Sequence, residues 1–281
     1  MNKRLIINAD DFGLSAGVNA AVVKAHSQGV VTSATIMANM QGALEAAKMA
    51  RQLRSLGVGV HLNLTEGKPL SRDALVKCLL NDEGEFAFSP ARLAGMSLIS
   101  SSIRRAIQIE MACQIQWAID HNIRLTHIDS HKHIHCFPVI FSTVCGLAKL
   151  FDIEAVRWTC EPISVSCAPW PLPSEGGKKR AKLIRRMAKI NRFQNSKLLK
   201  TDGLLGITHL GKINANFFNA LSLYNPLSVG ELMTHPGHSG AASGDYTQAV
   251  QRQGELETLC SEKTKEYLAK ANIELVHYGQ V

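Results

Sequence analysis

Segments with the pattern of β-strands alternate with segments with the pattern of helices, and this alternation constrains the fold more than any other feature. A first strand pattern covers 4–9, a helix pattern runs from a capping Ser15 to about His26, and strand patterns recur at 32–39 and 58–64. Strand, helix and strand at this spacing indicate βαβ units and a parallel sheet. A barrel and an open doubly wound sheet would both produce this pattern.

The alternation continues along the chain, and no internal repeat, low-complexity tract or clear domain linker interrupts it. Further strand patterns cover 124–131, 153–159, 204–209, 229–235 and 272–278, and further helix patterns cover about 43–53, 103–121, 214–223 and 248–271, with another helix beginning near Pro138. We therefore expect a single α/β domain over 1–281 with about seven parallel strands.

Polar side chains recur late in these strand patterns or directly after them. The carboxyl ends of parallel strands lie at one mouth of a barrel or at one edge of an open sheet, and functional residues gather there in both folds. Structural polar residues have no reason to repeat at strand ends. We therefore expect one site formed by Asp10, Asp11, His61, His131, Arg157 and His235.

The densest of these segments is THIDSHKHIH at 126–135, which holds four of the eleven histidines. If 124–131 is an extended strand, its period of two places His127, Asp129 and His131 on one face, which is a geometry for binding a metal. The alternative is a polar loop with solvated histidines. His133 and His135 fit either a wall of the site or the surface.

A divalent ion held by one aspartate and two histidines keeps open positions for water, and it can lower the pKa of that water toward about 7. A turn after the first strand would let one of Asp10 and Asp11 bind the ion while the other accepts the proton of the attacking water. His235 is then the natural donor to the leaving group. The alternatives are that the aspartates cap the following helix and that His61 is a satisfied core histidine.

The layout resembles the YdjC-like carbohydrate deacetylases, which include diacetylchitobiose deacetylases and hopanoid-associated relatives. The resemblance rests on motifs in the family's order, namely NADDFG (8–13), GVVTSAT (29–35), GVHLNLTEGKPL (59–70), THIDSHKHIHCFP (126–138) and THPG (234–237). It implies a distorted (β/α) barrel of the TIM type with a metal site at the carboxyl ends of the strands. The implied reaction is metal-dependent hydrolysis of an N-acetyl group from an amino sugar.

The resemblance also implies roles for the matching residues. Asp11 would be the metal carboxylate, and His61 and His131 would be the metal imidazoles. Asp10 would be the general base and His235 the general acid.

Three further residues match the surroundings of the family's site. His127, Asp129 and Arg157 are expected to support the ligands or to contact the substrate. One divalent ion is implied, and its identity stays open, because two histidines and an aspartate suit Zn²⁺ whereas the family leans toward Mg²⁺.

The chain departs from the family after Thr159, where a basic, proline-flanked insertion covers about 161–200. This insertion leaves the substrate open between a free oligosaccharide and a lipid-linked sugar such as an N-acetylglucosaminyl hopanoid. Two other functions are also open: a metal-dependent phosphoesterase on a similar barrel, and a non-catalytic, membrane-associated sugar-binding protein. A structural metal site would have no need of a spare carboxylate beside its ligand.

The positive charge of the chain belongs to this insertion. Between Glu175 and Asp202 there are ten Lys or Arg residues and no acidic residue, which leaves 31 − 10 = 21 basic against 23 acidic residues elsewhere. Apolar residues recur near helical spacing over 183–190, so 176–200 could form a basic amphipathic helix on an anionic membrane. The alternative is a solvated helix packed outside the barrel. No aromatic platform for bases accompanies the charge, so we expect no nucleic-acid partner.

The cysteines and the N-terminal sequence bear on the compartment. Seven cysteines, among them Cys167, are scattered without a CxxC pair, which favours reduced thiols. MNKRLIINADD is expected to be neither a signal peptide nor a membrane span. We expect a cytoplasmic protein, peripheral to the inner membrane face if the basic segment binds lipid. No pattern specifies an oligomeric state, and a homodimer stays open.

Overall fold

The computed structural model describes residues 3–166, 170–174, 176–194, 196–238 and 246–281. Cys167 and Glu175, which belong to the predicted insertion at about 161–200, lie outside these ranges. The described residues form one sheet of seven strands: β1 (Lys3–Phe12), β2 (Ser33–Ile36), β3 (Gly57–Leu62), β4 (Leu125–Ser130), β5 (Gly203–Leu205), β6 (Val229–Thr234) and β7 (Ile273–Leu275).

Nine α-helices connect or flank the strands within the same ranges. They are α1 (Ala16–Ser27), α2 (Ala43–Gln52), α3 (Pro90–Ile99), α4 (Ser101–Asp120), α5 (Pro138–Leu150), α6 (Gly177–Gln194), α7 (Ala215–Tyr224), α8 (Tyr246–Cys260) and α9 (Glu262–Lys270). The Ser15 side chain caps α1 as predicted, and Pro138 occupies the first turn of α5. The basic helix pattern is confirmed as α6. None of the described helices has the length and apolar character that a membrane span requires.

The strands are all parallel, in the order β4-β3-β2-β1-β6-β5, and β7 pairs with the start of β1. β1 is central, with β6 along most of its length and β2 beside its end. Its residues 5–12 are all buried, because helices or other segments cover both faces of the sheet. The parallel arrangement brings the carboxyl ends of the strands to one mouth.

The segment 155–160 lies between the two outer strands and curls the sheet into a distorted barrel. The Arg157 N–H donates to the Ile128 carbonyl of β4 at 2.9 Å, and the Leu204 N–H of β5 donates to the Cys160 carbonyl at 3.1 Å. The prediction of a distorted barrel with about seven parallel strands is therefore confirmed.

The prediction of a strand over 153–159 is wrong, because this segment does not form a regular ladder with its neighbours. Only one isolated bridge forms, between Ile128 and Val156. The Cys160 N–H donates to the Trp158 carbonyl at 2.8 Å, so the chain turns within two residues and leaves the ladder.

The predicted strand at 204–209 ends early, at Leu205. Gly206 has a φ of 108°, a conformation that favours glycine. The N–H groups of 206–208 then donate to the Glu161 carboxylate at 2.9 to 3.0 Å instead of to a neighbouring strand. A buried side chain from a distant segment thus ends the strand.

The single helix predicted at 248–271 is two helices, α8 and α9. Ser261 lies between them in an extended conformation, and its hydroxyl accepts the N–H of Thr264. This new N-cap begins α9.

Two large apolar clusters of the described residues hold most of the helices on the barrel. One packs α1, α2, α7, α8 and α9 against β1 and β2, with Val22, Phe217 and Leu268 among its buried members. The other packs α4 and α5 against β3 and β4 through residues such as Ile107 and Phe141. The barrel mouth lies outside both clusters, so polar side chains can gather there.

Candidate active site

Two aspartates follow one another at the end of β1, and both line the same cavity. Asp11 has a φ of 65°, which is strained for a residue other than glycine, and the register between β1 and β2 shifts between Ala9 and Phe12. The predicted turn is therefore present. It directs two consecutive carboxyl groups to the mouth, which a regular strand could not do.

Asp11, His61 and His131 form a group that could hold a metal ion, with one carboxylate oxygen and two ring nitrogens within 4.8 Å of one another. Asp11 Oδ1 lies 3.0 Å from His131 Nδ1 and 3.4 Å from His61 Nε2. The Asp11 and His61 side chains are buried, and His131 is 15% exposed. Carboxylate and imidazole groups are ordinary ligands of divalent ions, so these donors fit such an ion.

A carboxylate lies behind each of the two imidazoles. His61 Nδ1 is 2.7 Å from Asp129 Oδ1, and His131 Nε2 is 3.2 Å from Glu66 Oε1. Histidine ligands of metals commonly face such a partner, which fixes the ring and leaves the other nitrogen for the ion. Burial opposes a charged imidazole, but Asp129 and Asp11 raise the pKa of His61 to about 10.

Arg157 lies beneath this group and is fully buried. Its guanidinium contacts both oxygens of Asp10 at 2.7 Å, Asp129 Oδ2 at 2.7 Å and Glu231 Oε1 at 2.7 Å. The Tyr278 hydroxyl donates to the other oxygen of Glu231. One buried cation thus holds three carboxylates from three strands, and a buried charge requires such pairing.

Asp10 is the carboxylate of this network that reaches the cavity. Asn8 Nδ2 donates to its Oδ1 at 2.8 Å, which adds to the two contacts from Arg157. Burial would raise the pKa of Asp10, but the Arg157 guanidinium outweighs it and holds the pKa well below its ordinary value. Asp10 is therefore ionised at neutral pH with its oxygens fixed in direction.

His235 follows β6 and also lines the cavity. Its backbone N–H donates to Glu255 of α8 at 2.7 Å, which anchors the THPG segment. Burial lowers the pKa of the ring to about 4, although Asp10 and Asp11 act in the opposite direction. The ring is therefore neutral at pH 7 before substrate binds.

His127 lies apart from these groups. Its ring is buried and stacks on Tyr278, with centroids 3.9 Å apart, and it does not belong to either described group that could hold a metal. The expected metal-binding face of His127, Asp129 and His131 is not formed, because β4 ends at Ser130 and His131 leaves the strand. Asp129 lies in the extended strand β4, whereas His131 lies in the helical turn that follows it.

Three residues that contact the predicted site residues were not predicted from the sequence. Glu66 lies within the 59–70 motif, five residues after His61, so its position gave a signal. Glu231 is a lone carboxylate in an apolar strand pattern, which is a weaker signal. Arg252 gave none, because its long helix pattern pointed to no site, yet its Nη2 lies 2.5 Å from Asp11 Oδ2.

The cavity above these groups has a volume of about 950 Å³. Among the residues that line it are Asp10, Asp11, His61, His131 and His235. Helix α6 contributes part of a wall with the side chains of Arg180, Leu183, Ile184 and Met187, beside Phe137. The basic insertion therefore lies next to the site.

Comparisons with known proteins identify the family of this chain. The family model described as YdjC-like protein matches residues 4–270. A carbohydrate deacetylase of Brevibacillus brevis is 32% identical over 279 residues, covering 99% of each chain. A chitooligosaccharide deacetylase of Salmonella paratyphi B is 41% identical over 169 residues, covering 56% of this chain and 62% of the relative.

One solved structure shares the fold along the whole chain. It is an Enterococcus faecalis protein named for cellobiose-phosphate cleavage, with a TM-score of 0.77 and 24% identity, and the match covers 100% of this chain and 99% of that one. The family match extends through almost the entire barrel, and the resemblance inferred from the motifs is confirmed: the chain belongs to the YdjC-like protein family.

Proposed function

We propose that the chain is a carbohydrate deacetylase that hydrolyses the N-acetyl group of an amino sugar with one divalent metal ion. One observation carries this proposal: Asp11, His61 and His131 line a single cavity together with Asp10, whose carboxylate is paired with the buried Arg157. The names of the relatives, carbohydrate deacetylase and chitooligosaccharide deacetylase, support the reaction and the substrate class.

Asp11, His61 and His131 would hold the ion, and Asp129 and Glu66 would orient the two rings. When bound, a divalent ion would polarise the amide carbonyl and lower the pKa of a water molecule. The two imidazoles support Zn²⁺, whereas Mg²⁺ would need more oxygen ligands. The divalent ion of this proposal is therefore Zn²⁺ or Mg²⁺.

Asp10 would accept the proton of the attacking water. Arg157 keeps this carboxyl group ionised and fixes its direction, so that no reorganisation is needed when the proton arrives. The proton moves from the water oxygen to a carboxylate oxygen of Asp10. Asp129 and Glu231 hold Arg157 from behind and so support this geometry.

His235 would protonate the leaving amine. Since its ring is neutral at pH 7, it would take up a proton from solvent before the water attacks and then donate that proton to the amine nitrogen, while Asp10 would return the proton of the water to solvent at the end of the cycle. Before the water attacks, the ionised carboxylates of Asp10 and Asp11 favour the charged ring, although burial opposes it.

Acetate release from N-acetylglucosamine, diacetylchitobiose and an N-acetylglucosaminyl lipid in detergent tests the function. The metal-loaded protein should release acetate from at least one of them, and His61→Ala should abolish the release. Unchanged release by both His61→Ala and Asp10→Asn would contradict the proposal.

The open alternatives have less support. A phosphoesterase with two ions would place the second among Asp10, His61 and Asp129, but the Arg157 guanidinium already contacts both of those aspartates. A purely structural metal site would not explain Asp10, whose ionised carboxyl group lines the cavity.

Helix α6 supports a finer proposal, in which the sugar is lipid-linked and presented at an anionic membrane. Leu183, Ile190 and Phe193 are 55%, 51% and 93% exposed among the cationic side chains. Because Ala181 and Ala188 are buried, deleting the segment would damage the fold. Flotation with anionic vesicles should instead weaken in an Ile190→Ser, Phe193→Ser double variant, and equal flotation would remove this argument. A cytoplasmic location and a homodimer stay predictions.

A further inference from the structure

His133 and His135, which follow His131 in the sequence, have very different surroundings. His135 is completely buried, and both ring nitrogens have partners, Nδ1 with the Ser130 hydroxyl and Nε2 with the Arg157 carbonyl at 3.2 Å. His133 is 9% exposed and lines the cavity, and its Nδ1 has no hydrogen-bond partner among the described residues. His135 is thus a structural residue, whereas His133 is incompletely satisfied.

The backbone holds His133 at the cavity by an unusual conformation. Lys132 and His133 have φ values of 53° and 55°, and both are in the left-handed region that side chains other than glycine rarely adopt. This turn directs His131 toward Asp11, Lys132 toward Glu66 at 2.6 Å, and His133 into the cavity wall. Such strain persists only where surrounding contacts enforce it, and it is concentrated at functional sites.

We propose that His133 is a substrate-binding residue, whose imidazole forms a hydrogen bond with a ring hydroxyl of the amino sugar. The inference rests on the proposed function. A neutral imidazole offers one donor and one acceptor, which matches a hydroxyl group. Because His133 is one of the residues that line the cavity, a sugar bound there would lie against its ring. His133 would thereby help to orient the sugar above Asp10 and Asp11.

A pair of matched substitutions separates this role from a structural one. His133→Asn removes the ring, and asparagine tolerates the left-handed backbone. Asp152→Asn places asparagine at an exposed residue with the same left-handed backbone, φ 54°, that does not line the cavity. The metal-loaded proteins are titrated calorimetrically with glucosamine and with N-acetylglucosamine, and each variant is titrated with Zn²⁺ or Mg²⁺ after chelation.

We expect His133→Asn to weaken sugar binding about tenfold while metal affinity stays within about twofold of the parent. Asp152→Asn should bind the sugar like the parent. Unchanged sugar binding in His133→Asn would overturn the inference, and so would a parallel loss of metal affinity, because His133 would then act by positioning His131.

Deoxy analogues of N-acetylglucosamine identify the hydroxyl. The parent should bind one analogue about tenfold more weakly than the full sugar, and His133→Asn should show no further loss with that analogue. If His133→Asn weakens the binding of every deoxy analogue as much as it weakens the binding of the full sugar, a direct contact is contradicted. If the parent binds the sugar but releases no acetate, the proposed function fails while the binding inference stands. If the parent binds none of these sugars, both fail.

Discussion

Asp10 and Arg157 show how single residues at this site depend on their neighbours. Arg157 could not be buried without its three carboxylates, and Asp10 could not stay ionised when buried without Arg157. The same carboxyl group reaches the cavity, so the interaction that makes its burial tolerable also fixes the direction of its oxygens.

Substituting Asp10 should separate proton transfer from metal binding. Asp10→Asn keeps the size of the side chain but removes the proton acceptor, so kcat for acetate release should fall about 10²- to 10⁴-fold. Metal affinity measured by calorimetry should change little, because Asp11 and the two histidines remain. Asp82→Asn, at an exposed turn, is the control. A parent-like kcat in Asp10→Asn would exclude it as the base.

The Asp10–Arg157 pair also predicts how stability depends on pH. The pKa of Asp10 in the folded protein lies below the ordinary 3.8 that applies to the unfolded chain. The stabilisation is therefore fully present above this ordinary pKa and is lost as the pH falls toward the folded pKa. With chelator present, the difference in free energy of unfolding between parent and Asp10→Asn should shrink from about pH 5 to about pH 3. A constant difference in urea unfolding would contradict this.

Glu66 should control the affinity for the metal through His131. Glu66→Gln keeps the shape of the side chain but removes the charge behind the ring, so metal affinity should fall about 10- to 100-fold. Glu83→Gln removes the same charge at an exposed position and should leave the affinity unchanged. Equal affinities in the two variants would show that Glu66 does not orient His131.

Site residues were predictable where they end a strand pattern or belong to a quoted motif. Asp10, Asp11 and His131 met both conditions, and the structure brings them together with His61. Arg252 did not, because its position beside Asp11 depends on how α8 docks on the barrel. No local pattern encodes that docking.

At the scale of secondary-structure elements, α8 contacts both Asp11 at the end of β1 and His235 after β6. Arg252 contacts Asp11, and three residues later Glu255 accepts the backbone N–H of His235. The Arg252 stem passes so close to Gly237 that a Cβ there would lie 3.1 Å from the Arg252 Cβ and Cδ. The glycine of THPG therefore leaves room for the arginine that reaches Asp11.

Gly237→Ala should disturb this packing. We expect Arg252 to shift by a few tenths of an ångström and metal affinity to fall severalfold, because Asp11 loses part of its support. Gly254→Ala is the matched control on α8, since a Cβ there meets nothing within 4 Å. It should leave metal affinity unchanged and stabilise the protein by up to about 1 kcal/mol through helix propensity. Unchanged metal affinity in Gly237→Ala would show that the close packing is not needed.

The elements that the sequence analysis placed correctly are those with a local period and a local cap. The ends of β5 and the break between α8 and α9 were missed for different reasons. Glu161, more than forty residues from β5, ends that strand by accepting the N–H groups of the three residues that follow it, and this long-range contact has no sequence signal. Ser261 is a local cap, but the helix pattern on both sides masks it.

At the scale of the whole molecule, the alternation of strands and helices specified a parallel sheet but not its closure. Closure depends on the segment 155–160, which joins the outer strands by isolated hydrogen bonds instead of a regular ladder. Family motifs, which carry information beyond periodicity, decided in favour of the barrel. A single domain over 1–281 with an insertion at 161–200 stays a prediction that follows from the same alternation.

The most direct test of the central claim is acetate release by the chelated protein as a divalent ion is returned. Release should be absent after chelation and should return in proportion to ion bound, with saturation at one ion per chain measured calorimetrically. His61→Ala should neither bind the ion tightly nor recover release. Full release from the ion-free protein, or parent-like ion binding by His61→Ala, would contradict a metal-dependent deacetylase built on Asp11, His61 and His131.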